Sequence, residues 1–162
     1  ALHPALLYKA VRRLLDPLLD RYARARYGSG AEAARAALAA LEDYVRVYGS
    51  IPYSEPRSPE SVARAEGALA ARAAEVRGAR AGVTDPHAAA SLDRLGLMVD
   101  FALRDLEILR MKGSGASPAA VREEVVALVE LLTANADRGV FLLRGQGDLG
   151  RYLRHYDVST PE

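Results

Sequence analysis

The sequence predicts an all-α fold: a single-domain helical bundle of five main helices plus a short C-terminal helix, built around a central helix over residues 86–112. Three observations carry this reading. Apolar residues recur at steps of three and four through most of the chain, the spacing of one helix face. The breaks between these segments hold glycine, proline and capping residues. Residues 86–112 are apolar around most of a helical circumference. Leu92, Leu95, Val99, Leu103 and Leu106 form one side, Leu97, Phe101 and Ile108 another, and Met98 and Leu109 fill the gap. Such a helix is normally surrounded by others. Its polar positions reduce to a stripe of Asp93, Asp100, Arg104 and Glu107 and a line of Arg94, Asp105 and Lys112.

The elements follow in order. Pro4 fits a first helical turn, where its missing N–H costs nothing. Leu7, Val11, Leu14, Leu18 and Tyr22 then mark an inward stripe down to Tyr27. Pro17 interrupts it, and either kinks one long helix or, with Asp16, starts a second. After Gly28-Ser29-Gly30, Ser29 and Glu32 have capping-box spacing for the next helix, which carries Ala34, Leu38, Leu41, Val45 and Tyr48 on one face. The short break makes these two helices an antiparallel hairpin, with Tyr8 approaching Tyr44 and Tyr48. Residues 49–58 are a proline-punctuated connection that Ile51 and Tyr53 pin to the bundle.

The third helix, 59–81, has a thin stripe of Val62, Ala65, Leu69, Ala73 and Val76, and Gly67 and Gly78 weaken it. It is expected to be the least tightly held. Asp85 and Pro86 start the central helix, and Gly113-Ser114-Gly115 ends it. Ser117 caps the fifth helix with Pro118 in its first turn. Val121, Val125, Leu128, Val129, Leu132 and Ala136 line that helix's apolar face. Helical register is lost at Gly139. Asp148 is placed to cap a last helix with Leu149, Tyr152, Leu153 and Tyr156 inward.

Composition narrows function by exclusion. At 162 residues the chain suits one domain. It holds no cysteine, so disulfides, thiolate metal sites and thiol nucleophiles are excluded, and a reducing, cytoplasmic setting is expected. No apolar run is long enough for a membrane span, and the start lacks the charge order of a signal peptide. The net charge of +1 is too balanced for a general nucleic-acid glue. Scarce amides, Asn135 and Gln146 alone, together with the Ala/Arg bias, give a thermophile-like composition that a GC-rich genome would also produce.

The motifs that carry chemistry are weak. Gly145-x-Gly147-x-x-Gly150 is a literal dinucleotide fingerprint, but a parallel sheet and a following acidic strand are missing. His3, His87 and His155 lie far apart and lack metal-ligand spacing. Glu123, Glu130 and Asp137 recur every seven residues, about 10 Å apart along a helix, which is too far to share a metal or proton. No cofactor, metal or catalytic set is therefore assigned. Asp100, Arg104 and Glu107 flank the buried helix and form the candidate pocket or ion-pair group, with Asp100 and Arg104 at i,i+4 spacing.

Arginines interleaved with tyrosines near both ends give a candidate nucleic-acid or partner contact at Arg12, Arg13, Arg151 and Arg154. The stretch 103–132, LRDLEILRMKGSGASPAAVREEVVALVELL, resembles the helical core of archaeal GINS replication subunits over about a fifth of the chain. That family's small β domain has no counterpart here, and the resemblance implies no site residues. It keeps a replication- or CRISPR-type accessory subunit as the alternative.

The expected function is a non-enzymatic interaction or assembly module, acting as a homodimer or as a subunit of a larger complex. Either the alanine-rich third helix or the apolar run 140–143 would complete its burial against a second chain. The third expectation is a small-ligand binder or enzyme with an inter-helix pocket.

Overall fold

The computed structural model describes residues 4–47, 58–138 and 149–158, with the side chains of 4–14 left aside. Among these residues every element is helical: α1 (Pro4–Tyr27), α2 (Ala31–Arg46), α3 (Pro59–Ala81), α4 (Pro86–Gly113), α5 (Pro118–Ala134) and the short α6 (Leu149–His155). Single 3-10 turns lie at Gly28–Gly30 and Ala136–Arg138. This is the all-α bundle that the periodicity predicts. The expectations that fall on residues 48–57 and 139–148, including the 140–143 run and most of the glycine fingerprint, lie outside the described residues.

The central position of α4 follows from its composition. It packs against α1, α2, α3 and α5. Along it Leu92, Leu95, Val99, Ala102, Leu106 and Ile108 are buried. The N-terminal two-thirds of α4 shares a core with α1, α2 and α3, and its C-terminal end shares one with Val121, Val125, Leu128, Leu153, Tyr156 and Val158. Burying each such leucine or valine contributes about 1.5–3 kcal/mol.

Helix α3 corrects one expectation. It makes the most extensive contact of any helix with α4 and packs against α2 as well. Val62, Ala65, Leu69, Ala73 and Val76 are all buried. Alanine presents little area, but it lets backbones approach closely, so many atoms touch across a thin stripe. Gly67 and Gly78, read as weak points, face open space.

Helix starts follow their capping residues. The Ala88 N–H donates to the Asp85 carboxylate at 2.7 Å, and the Ala120 N–H donates to Ser117 Oγ at 3.2 Å. At α3 a reciprocal box forms: the Ser61 N–H donates to Ser58 Oγ at 3.2 Å, and the Ser58 N–H donates to Ser61 Oγ at 2.9 Å. The box expected at Ser29 and Glu32 is absent. Instead Gly30 precedes α2 without a side-chain cap. The 3-10 turn is pressed on α4, where a Cβ on Gly30 would meet Leu92 Cδ1 at 2.7 Å. Pro17 lies inside a single continuous α1, so the two-helix alternative does not occur.

Candidate functional site

Helix α1 is the element whose facing matters most. At 100° per residue, Asp16, Asp20, Ala23 and Tyr27 share one side. Ala23 and Tyr27 are buried, at 1% and 6% exposure. Arg35 of α2 donates to Asp20 and lies 3.5 Å from Asp16. Over residues 15–27, the bundle-facing side of α1 is thus an alanine, a tyrosine and two carboxylates held by one guanidinium. Burial pushes the Tyr27 hydroxyl above its ordinary pKa, nearby Tyr22 adds to that, and Arg26 opposes it.

Leu15, Leu18, Leu19 and Tyr22 take the i, i+3, i+4, i+7 positions beside that face. They are 45%, 53%, 44% and 52% exposed. Leu18 and Tyr22, expected to point inward, point outward. Of the expected stripe, the side chains of Leu7, Val11 and Leu14 lie outside the described residues. Ala23 permits close approach to the bundle, and Arg35 pairs with the two carboxylates on that side. The result is an apolar stripe about 10 Å long on a firmly packed helix. Arg21 borders it beyond Leu18, and Arg26 lies in line with it one turn past Tyr22; both are exposed. The rings of Tyr22 and Tyr27 meet edge to face, with centroids 6.5 Å apart, which fixes the end of the stripe.

A second constellation lies inside the bundle. Asp105, placed by its sequence on a polar line, is 2% exposed. The Tyr44 hydroxyl of α2 donates to its Oδ2 at 2.7 Å, and the Tyr156 hydroxyl, just past α6, donates to its Oδ1. One carboxylate therefore ties α2, α4 and the C-terminal segment together. Burial raises the pKa of the Tyr152 hydroxyl; nearby Arg151 opposes that shift and the charge of Asp105 adds to it. Ala102 and Ile108, three residues away on either side of Asp105, are buried with it. The expected approach of Tyr44 to Tyr8 and Tyr48 lies outside the described residues; its hydroxyl reaches Asp105.

The predicted group on α4 is dispersed over three different partners. Asp100 lies 3.6 Å from Arg77 of α3, Arg104 lies 3.5 Å from Glu124 of α5, and Glu107 lies 3.1 Å from Arg110. All three residues are ion-paired, each with a different partner rather than with one another. A cavity of about 640 Å³ lies elsewhere, between the start of α3 and the end of α4, lined by Val62, Leu109, Lys112, His155 and Tyr156. Lys112 Nζ donates there to the Tyr156 carbonyl and lies 3.2 Å from Asp157.

Arg151 and Arg154 are exposed on α6. Arg12 and Arg13 lie on α1, with side chains outside the described set. Among the described residues no group of three His, Asp or Glu side chains is placed to hold a metal ion, and no helix is long and apolar enough to cross a membrane. No family model, curated protein or solved structure matches this chain.

Proposed function

We propose that this protein is a non-enzymatic interaction module, a rigid helical bundle that docks another chain on α1. The observation that carries this is the exposed stripe of Leu15, Leu18, Leu19 and Tyr22. Isolated apolar residues on a surface need no explanation, but four in register on one helix form a contiguous patch of the kind that marks interaction sites. The patch sits on α1 rather than on the third helix, whose own stripe is covered by α2 and α4. The bundle beneath is fixed by a continuous core and by the Asp105 carboxylate, so the stripe is presented without a folding cost on binding.

The test is the set of companions recovered with the chain from its native cells, compared with those of a Leu18→Asp/Tyr22→Ser variant. The expected result is a companion present with the wild-type chain and lost with the variant, while both unfold at similar temperature. An unchanged set of companions would contradict the assignment.

Contact with nucleic acid is a second reading, favoured by the exposure of Arg151 and Arg154 on the short α6. It predicts binding that weakens steeply with salt and is lost on Arg151→Glu/Arg154→Glu replacement, as measured by electrophoretic mobility shift. Binding unaffected by those changes would remove this surface.

A further inference from the structure

We infer that the occupant of the α1 stripe is an acidic amphipathic helix of another protein. This rests on the reading of α1 as the docking surface, and it deepens that reading by naming the partner's chemistry. The shape comes from the register. Side chains at i, i+3, i+4 and i+7 present two turns of one helix face, which complements the apolar face of a second helix laid alongside.

The charge comes from how α1 distributes its ionic groups. Its two acids in this region, Asp16 and Asp20, are engaged by Arg35 on the side facing the bundle. Among the described residues, Arg21 beyond Leu18 and Arg26 in line with the stripe are exposed cations, while on the opposite border Asp16 is already engaged by Arg35. A partner helix with leucine-like residues on one face and glutamates along its edges would bury the stripe and meet both arginines.

Two other occupants fit less well. A second copy of this chain would bring Arg21 and Arg26 against an equally cationic stripe, with its acids already held by Arg35. A flat anionic membrane would reach past the stripe to Asp16 and Asp20, whose side chains are 48% and 42% exposed. A helix about 10 Å across can lie on the stripe and avoid them.

The test is selection from a displayed library of 18-residue peptides (a length of about five turns). Each peptide carries leucine at i, i+3, i+4 and i+7, with the flanking positions randomised over Glu, Gln and Lys. The full chain is the bait, and the Leu18→Asp variant is the control. The expected result is enrichment of Glu at the flanks, no enrichment on the control, and roughly tenfold weaker binding of a selected clone to Arg21→Glu/Arg26→Glu. Enrichment of Lys, no charge preference, or no binders would overturn the inference. So would vesicles of mixed phosphatidylserine and phosphatidylcholine binding through the stripe, or self-association that Leu18→Asp abolishes. If the library fails while Leu18→Asp still releases a native companion, the docking surface stands and only the acidic helix falls. If Leu18→Asp releases nothing, both fall.

Discussion

Asp105 shows how much one side chain can organise. A buried carboxylate is costly unless its oxygens are satisfied, and here Tyr44 and Tyr156 each supply a donor. Tyr44→Phe and Tyr156→Phe are each expected to cost about 1–2 kcal/mol in urea unfolding. Asp105→Ala, which removes an acceptor from both hydroxyls, is expected to cost about 3 kcal/mol or more. The double Tyr→Phe change should depart from additivity, because both groups share one acceptor. Strict additivity, or a neutral Asp105→Ala, would remove Asp105 from this role.

Two other tyrosines set an alkaline limit. Tyr27 and Tyr152 both have pKa values raised above 10.0, chiefly by burial. The folded chain therefore holds these protons more tightly than the unfolded chain. Their contribution is complete below pH about 10 and is lost as pH rises through the folded values. Urea midpoints should accordingly be flat to pH about 10 and then fall, with tyrosinate absorbance rising late. Asp105 also marks a limit of reading charge from sequence. A lone acid in a helix looks solvated until the donors that reach it, which come from residues 61 and 51 positions away, are known.

At the scale of elements, starts, stops and most facings were legible. Asp85, Ser117, Pro59, Pro86 and Pro118 act locally, through the first helical turn, so their effect can be read without the fold. Facing was legible where one apolar stripe exists, as on α5. It was not legible on α1, where Leu15, Leu18, Leu19 and Tyr22 compete with Ala23 and Tyr27 and the structure buries the latter pair. The strength of α3 was misread for a related reason: alanine counts little as area but much as proximity.

Glycine substitutions separate these effects. Gly67→Ala and Gly78→Ala, in an exposed helix interior with free space at the Cβ, are expected to raise stability by about 0.5–1 kcal/mol each. Gly30→Val is expected to lower it by about 1–3 kcal/mol, because it drives Leu92 from a full core. Thermal unfolding of the three variants checks both signs.

At the scale of the whole molecule, two apolar clusters share α4, one toward α1, α2 and α3 and one toward α5 and the C-terminal segment, while residues 15–22 of α1 keep an apolar face toward solvent. Among the described residues, four large side chains about half exposed in register leave apolar surface open to another molecule. This distinguishes the docking stripe from core. Leu69, fully buried, should lose about 2–5 kcal/mol as Leu69→Ala. Stripe positions should each change stability by about 0.5 kcal/mol or less.

The most direct measurement is therefore the unfolding temperature of Leu15→Ser/Leu18→Ser/Tyr22→Ser beside that of Leu69→Ala. The account predicts a shift of no more than about 6 °C for the triple variant and a drop of roughly 4–20 °C for Leu69→Ala, at about 2–4 °C per kcal/mol, with the single replacement always the more damaging. A triple variant that falls as far as Leu69→Ala would place the stripe inside the core and contradict the docking surface.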